Sequence, residues 1–126
     1  MRKKQNFLRS VVIAFKGLFH GLLKERNSRI QLLVASGVII GSIILGISKL
    51  EMLVTVTACF FVIILEMINT SIERVLDVIY PDENPEVGLI KDIMSGVVLL
   101  GSLLAVAVGI IILYEPFIDF VARFIG

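Results

Sequence analysis

Hydrophobic and polar positions along this chain follow two patterns, one periodic and one continuous. From Phe7 to Leu23 the apolar residues, among them Phe7, Val11, Phe15, Leu18 and Leu22, fall within an arc of about 160° when each residue turns an ideal helix by ~100°. Arg9, Lys16, His20 and Lys24 take the opposite side, and Ile13 is the one large apolar misfit. This spacing predicts an amphipathic helix over about 6–24. Beyond Gln31 the periodicity gives way to unbroken apolar text. Only Lys49 and Glu51 interrupt it before Glu66, and nothing charged stands between Asp92 and Glu115.

A helix that crosses a bilayer needs ~20 mostly apolar residues. Leu32 to Ser48, Leu50 to Ile68 and Ile93 to Tyr114 meet that length, which predicts spanning helices over about 30–48, 50–79 and 89–114. Between the second and third, Pro81, Pro85 and Gly88 stop one helix and allow a turn before the next. The fold class expected is an all-α membrane protein of one domain, an N-terminal amphipathic surface helix followed by three transmembrane helices. The segment before Gln31 has no cleavage-site pattern, so a signal peptide is not expected.

Composition agrees and adds an orientation. With 126 residues, 57% of them hydrophobic, and a mean hydropathy of +0.98, the chain is too apolar for a soluble domain. Its net charge of +1 conceals an asymmetry: Arg2, Lys3, Lys4, Arg9, Lys16, Lys24, Arg26 and Arg29 all precede the first span. Cytoplasmic loops carry the excess of Lys and Arg. The N-terminus and the Asp77–Asp92 loop are therefore expected in the cytoplasm, with the Ser48–Glu51 turn and Arg123 outside. The amphipathic helix is then expected in the cytoplasmic headgroup layer, held by apolar burial and anionic lipid. Cys59, the single cysteine, sits mid-span and reads as an inert core residue, and His20, the single histidine, as a solvated one. No nucleic-acid partner is expected.

Against this apolar background one group of polar residues stands out. With Glu66 as origin, Asn69 falls at about 300°, Glu73 at about 340° and Asp77 at about 20°, so the four share one face of the second spanning helix. Ionisable groups at membrane depth are costly and mark functional sites. Counted from Leu50, Glu66 lies about 24 Å along the helix, close to the far surface of a ~30 Å hydrocarbon layer and at the level of a lipid's head hydroxyl. Glu73 lies about 10 Å farther, among water and soluble ligands.

A carboxylate at such a level can accept a hydroxyl proton during attack, which suits Glu66 as a general base. Magnesium takes one or two carboxylates together with nucleotide phosphates. Glu73 supplies one, and Glu25, in the turn that joins the surface helix to the first span, supplies the other. Lys91 at the start of the third span can meet phosphate oxygens as a point charge, or it can serve as an interfacial anchor. Neither a Walker-type loop nor Gly-x-Gly-x-x-Gly occurs, which argues against the familiar soluble kinase folds but not against phosphoryl transfer, whose demands are positioning and electrostatics.

Small residues at Gly37 and Gly41, and at Gly101, Ala105 and Gly109, predict close helix approach within or between chains. Three helices hardly enclose a large polar site, so a homo-oligomer is expected.

Glu66, Asn69, Thr70, Ile72, Glu73 and Asp77 match the pattern Glu-x-x-Asn-[Thr/Ser]-x-Ile-Glu-x-x-x-Asp, and the chain resembles the bacterial integral-membrane diacylglycerol kinase family. Lys91-Asp92, Lys16-Gly17-Leu18 and Glu25 extend the resemblance over nearly the whole chain. It implies a homotrimer with active sites shared between neighbours, and ATP with magnesium on the cytoplasmic side of the cell membrane. It also implies a membrane lipid alcohol as acceptor. Glu66 with Asn69 is implied as catalytic, and Glu66 with Ser95 as facing the lipid. Glu25 and Glu73 are implied as metal ligands, and Asp82, Glu83, Asn84, Lys91 and Asp92 as bordering the nucleotide. Asn84 stands where the family often has histidine, and Leu89-Ile90 where extra basic residues are frequent. Glu25-Arg-Asn-Ser-Arg29 and the short chain are more similar to the Gram-positive branch, whose principal acceptor is undecaprenol, than to diacylglycerol kinases proper.

From other classes, a small cation- or proton-coupled transporter would also use a membrane carboxylate stripe. It should continue its polar residues outward, where this chain has only Glu51, Thr55 and Thr57. A non-catalytic assembly factor would leave the Glu66 face without purpose.

Overall fold

The computed structural model describes residues 6–126, so Arg2, Lys3 and Lys4, part of the charge asymmetry, lie outside the described residues. Four helices follow in order: α1 Phe7–Lys24, α2 Arg26–Leu45, α3 Lys49–Ile79 and α4 Pro85–Ile125. Three of them, α2 to α4, are long and apolar enough to cross a membrane. All regular elements among the described residues are helical, in line with the expected class.

Local chemistry sets each boundary. Glu25, in an extended conformation, separates α1 from α2. The helix starts at Arg26, ahead of the expected 30, because backbone hydrogen bonding continues through polar residues that hydropathy leaves out. Gly46 ends α2 with a left-handed φ of 67°, a conformation glycine adopts without steric cost, and Ile47 N–H reaches back to Ser42 O at 3.4 Å. A capping box opens α3, with Glu51 N–H on Ser48 Oγ at 3.2 Å and Ser48 N–H on Glu51 Oε2 at 2.9 Å.

Asn84 opens α4, its Oδ1 accepting from Glu86 N–H at 3.0 Å, with Pro85 in the first turn, where its missing N–H costs nothing. This cap moves the helix start from the expected 89 to 85. At the other end α4 runs past the expected 114 to Ile125 with Pro116 inside it, because one proline removes only one backbone hydrogen bond and neither glycine nor a second proline occurs from Phe117 to Ile125.

The helices pack as a sheaf in which α3 is central, meeting α4 most extensively and α2 next, while α1 rests on α2 and touches α3. Gly21 of α1 lies against Met67, where an added Cβ would come within 2.9 Å of its Cε. Ser28, Ala35 and Ser42, small residues seven apart, form the buried seam of α2. Buried apolar side chains are few, Ala35, Val62, Ile63, Val87 and Val98, and are matched in number by buried polar ones. Large apolar residues such as Leu33, Leu100 and Ile111 point outward, the arrangement of helices whose solvent is lipid.

One of the expected glycines is packed against a neighbouring helix. At Gly101 an added Cβ would press on the Leu65 side chain, whereas Gly37, Gly41 and Gly109 have nothing within 4 Å. Four-residue spacing marks a helix face without saying whether another helix of the same chain covers it. Cys59 is likewise half-buried on the wall of a cleft rather than enclosed in a core.

Candidate active site

Polarity along α3 is graded by burial. Glu66 and Asn69 are 4% and 6% exposed, Glu73 is half-buried, and Asp77 is exposed. The stripe thus begins deep between helices and emerges toward the α3–α4 turn. At its deep end Gln31 Nε2 of α2 donates to Glu66 Oε2 at 3.5 Å, and the Asn27 side chain one turn earlier also reaches this carboxylate. Ser28 Oγ, Gln31 Oε1 and Asn69 Oδ1 are buried without a partner, all on the two helices that meet at Glu66. Thr55 Oγ1, about 16 Å from Glu66 along α3, is buried without a partner too, but Gln31 Oε1 and Asn69 Oδ1 belong to residues beside Glu66 and leave acceptor capacity there for something that enters.

Glu25 and Glu73 both lie near enough to act electrostatically on Glu66, so three carboxylates converge where the α1–α2 junction faces α3. Arg74 forms an ion pair with Glu25. Among the described residues no group of three His, Cys, Asp or Glu side chains could enclose a metal ion by itself. A hard cation carried by a nucleotide needs only one or two protein carboxylates. The donor set therefore fits an ion that arrives with phosphates, and does not form a free-standing cage.

Farther out, Lys91 is ion-paired with Asp77 and also lies within the field of Glu73, which links the start of α4 to the stripe. An open cleft of about 570 Å³ at the α3–α4 turn is lined by Asp77, Asp82, Glu83, Asn84 and Lys91. Four of the five residues expected at the nucleotide thus meet at one cleft. The fifth, Asp92, is exposed on α4 and is not among its lining residues, and Ser95 is also exposed. With Val87 and Val98 marking the packed face of α4, Asp92 turns away from it, at about 140° on an ideal helix, and Ser95 lies at its flank. Asn84 commits its Oδ1 to capping α4, leaving its amide nitrogen free to donate. A second cleft, about 240 Å³ and almost wholly apolar, starts at Gln31 and runs between the helices past Val34, Thr55, Cys59 and Gly109.

Residues 12–113 match the family described as prokaryotic diacylglycerol kinase. The chain belongs to that family. A diacylglycerol kinase of Synechocystis sp. is 31% identical over 115 residues, covering 90% of this chain and 66% of that protein. An undecaprenol kinase of Bacillus subtilis is 26% identical over 106 residues, covering 84% of this chain and 86% of that protein. The chain thus spans slightly under two thirds of the Synechocystis relative and most of the Bacillus one. Both relatives are named as lipid kinases, and their names differ in the acceptor. Nothing in these matches supports a transporter.

In this member of the diacylglycerol kinase family, the residues that sequence reasoning passed over are Asn27, Ser28, Gln31 and Arg74. Gln31 reads as the edge of an apolar run, yet Asn27 and Gln31 are four apart, and that spacing on one helix face was the available signal. No local signal joins Arg74 to Glu25, which are 49 positions apart.

Proposed function

We propose that this chain is an ATP-dependent lipid kinase that transfers the γ-phosphoryl group to the hydroxyl of a membrane lipid alcohol. The observation that carries the reading is the buried Glu66 carboxylate, contacted by Asn27 and Gln31 and neighboured by Glu25 and Glu73 within a family of lipid kinases. Glu66 takes the proton of the lipid hydroxyl as its oxygen attacks the γ-phosphorus. The bond from that phosphorus to the β,γ-bridging oxygen breaks, and ADP leaves with the electron pair. Asn27 and Gln31 hold the carboxylate toward the attacking oxygen, and Asn69, one turn along α3, has its Nδ2 amide to donate to the phosphoryl oxygens.

Glu25 and Glu73 would hold magnesium, which neutralises phosphate charge when bound with ATP. The cleft of Asp82, Glu83, Asn84 and Lys91 receives the nucleotide. Its acidic lining is a poor match for bare triphosphate and a better one for a nucleotide whose charge is offset by a cation. Asp92, directed away from the chain's own core, and Ser95, at the flank of the packed face, belong to a site completed by a neighbouring copy, with Ser95 facing the lipid. That assignment rests on a homotrimer with shared active sites.

The N-terminus and the α3–α4 turn lie in the cytoplasm of a multi-pass cell-membrane protein, with α1 along the cytoplasmic headgroup layer. The exposure of Phe7, Leu8, Phe15 and Phe19 on α1 supports that position, since lipid is the solvent such a face requires.

We assign undecaprenol as the acceptor. The Bacillus relative matches this chain over most of both lengths, and the Glu25–Arg29 segment favours the same branch. Diacylglycerol is the second reading, favoured by the higher identity to the Synechocystis relative. Purified protein given ATP and magnesium with each lipid in parallel tests the choice. Phosphate on undecaprenol at a higher kcat/KM supports the first assignment, preference for diacylglycerol replaces it with the second, and transfer to neither overturns the kinase reading.

A further inference from the structure

α4 is longer than its task of crossing a bilayer requires. Its 41 residues make a helix of about 60 Å, against a hydrocarbon layer of ~30 Å. Leu113 is the last residue of α4 that lines a cleft shared with α2 and α3, and Gly101 lies against Leu65, so in this antiparallel pair α4 draws level with Lys49 at about residue 117 and its last turns, 118–125, about 12 Å of helix, project past the Gly46–Ser48 turn of the hairpin. The family match also ends at residue 113.

The projecting segment has its own two-sided pattern. Turning ~100° per residue, Glu115, Asp119 and Arg123 fall within an arc of about 80°, and Phe117, Ile118, Phe120, Val121, Phe124 and Ile125 fill about 160° on the other side. Phe120 and Phe124 stack on that apolar face, their ring centroids 5.0 Å apart. Phe117, Ile118, Phe124 and Ile125 are exposed, Phe124 at 78%. At the root of the segment stands Pro116, which has no N–H to give Ile112 O and whose ring crowds that carbonyl, the usual place for a helix to bend.

We propose that 115–125 is an interfacial anchor that bends at Pro116 and lies in the headgroup layer of the leaflet on the Gly46–Ser48 side, opposite the polar site. The inference rests on the reading of α2 to α4 as bilayer spans. A straight continuation would hold Ile118, Phe120, Val121, Phe124 and Ile125 in water beyond the hairpin turn. Lowered into the interface, the same side chains meet acyl chains continuous with those around α4, and Glu115, Asp119 and Arg123 remain among headgroups and water. Among the described residues no other element extends past the Gly46–Ser48 turn to cover the face.

The chain contains no tryptophan, so single substitutions report depth without background. Full-length Phe117→Trp, Phe120→Trp, Phe124→Trp, Asp119→Trp and Arg123→Trp variants are placed in phosphatidylcholine–phosphatidylglycerol vesicles. They are quenched either by lipids brominated near the glycerol or by aqueous acrylamide, with Leu104→Trp as the mid-span control. The proposal expects the three Phe-site variants to be quenched severalfold more by the brominated lipid than the two polar-face variants, with acrylamide giving the reverse order. Depth then follows helix face rather than position along the chain. Quenching by lipid that falls steadily from 117 to 124 whatever the face would show a helix rising straight into water and overturns the proposal. Phe-site fluorescence that neither agent quenches would show cover by another protein surface and overturns it equally. Failure of deeply brominated lipid to quench Leu104→Trp would instead remove the membrane reading itself.

Discussion

Arg74 of α3 forms an ion pair with Glu25 at the α1–α2 junction, tying together two positions 49 residues apart in sequence. If Glu25 serves a magnesium–nucleotide complex, Arg74 competes with the cation for its carboxylate. Arg74→Gln is expected to lower the magnesium concentration for half-maximal activity severalfold. Glu25→Gln and Glu73→Gln are expected to raise it and to weaken ATP affinity, since each removes an anionic oxygen from a hard cation. Titrating activity against magnesium at fixed ATP checks all three, and identical curves for both Gln variants and the parent would remove the metal role.

The Gln31 bond to Glu66 leads to a separate expectation. At 3.5 Å this bond is long, so it is expected to contribute toward the weaker end, ~0.5–1.5 kcal/mol, and Gln31→Leu, which removes it, should reduce kcat about 2- to 10-fold. ATP affinity should be unchanged, because the bond lies at the buried end of the stripe, away from the cleft proposed for the nucleotide. Steady-state kinetics at saturating lipid separates kcat from KM for ATP. Full activity in Gln31→Leu would show that Asn27 or the buried surroundings suffice to position the carboxylate.

Much of this arrangement was legible in the sequence where a periodic signal carried it. Glu66, Asn69, Glu73 and Asp77 share a helix face by arithmetic alone, and the structure adds the gradient of burial along them. Contacts between distant segments had no such signal. Gln31 meets Glu66 because α2 and α3 are antiparallel neighbours joined by the short turn at Gly46–Ser48, a relation that hydropathy cannot resolve to a residue. The end of α4 was misplaced because an apolar window detects where lipid would stop, not where backbone hydrogen bonding does. Asp82, Glu83, Asn84 and Lys91 come together because a cap and two prolines fold the α3–α4 turn back on α4, whereas Asp92, one residue past Lys91, is turned away by the helix.

Packing between α3 and α4 gives a prediction independent of catalysis. Gly101→Ala forces a Cβ against Leu65, and such overpacking typically costs ~1–3 kcal/mol. Gly109→Ala, with open space at its Cβ, should have little effect or a slight benefit from lower backbone entropy in the unfolded chain. Thermal inactivation in one detergent compares them, and equal midpoints would mean that the Leu65 side chain moves aside at no cost.

Topology is tested by single cysteines in a Cys59→Ala background. The charge asymmetry predicts that a cysteine replacing Lys49 is labelled by impermeant reagent from outside intact cells and that one replacing Asn84 is protected. Labelling in the reverse order would invert the protein in the membrane and move the carboxylate site away from cytoplasmic ATP.

Glu66→Gln preserves size and can still accept from Gln31 through its amide oxygen, but it cannot take the lipid hydroxyl's proton. General bases typically contribute ~10²- to 10⁴-fold, so turnover at saturating lipid and ATP should fall by that range while ATP binding, measured by equilibrium titration, stays within about twofold of the parent. Retention of more than roughly a third of the parent's turnover, far outside that range, would contradict Glu66 as the base.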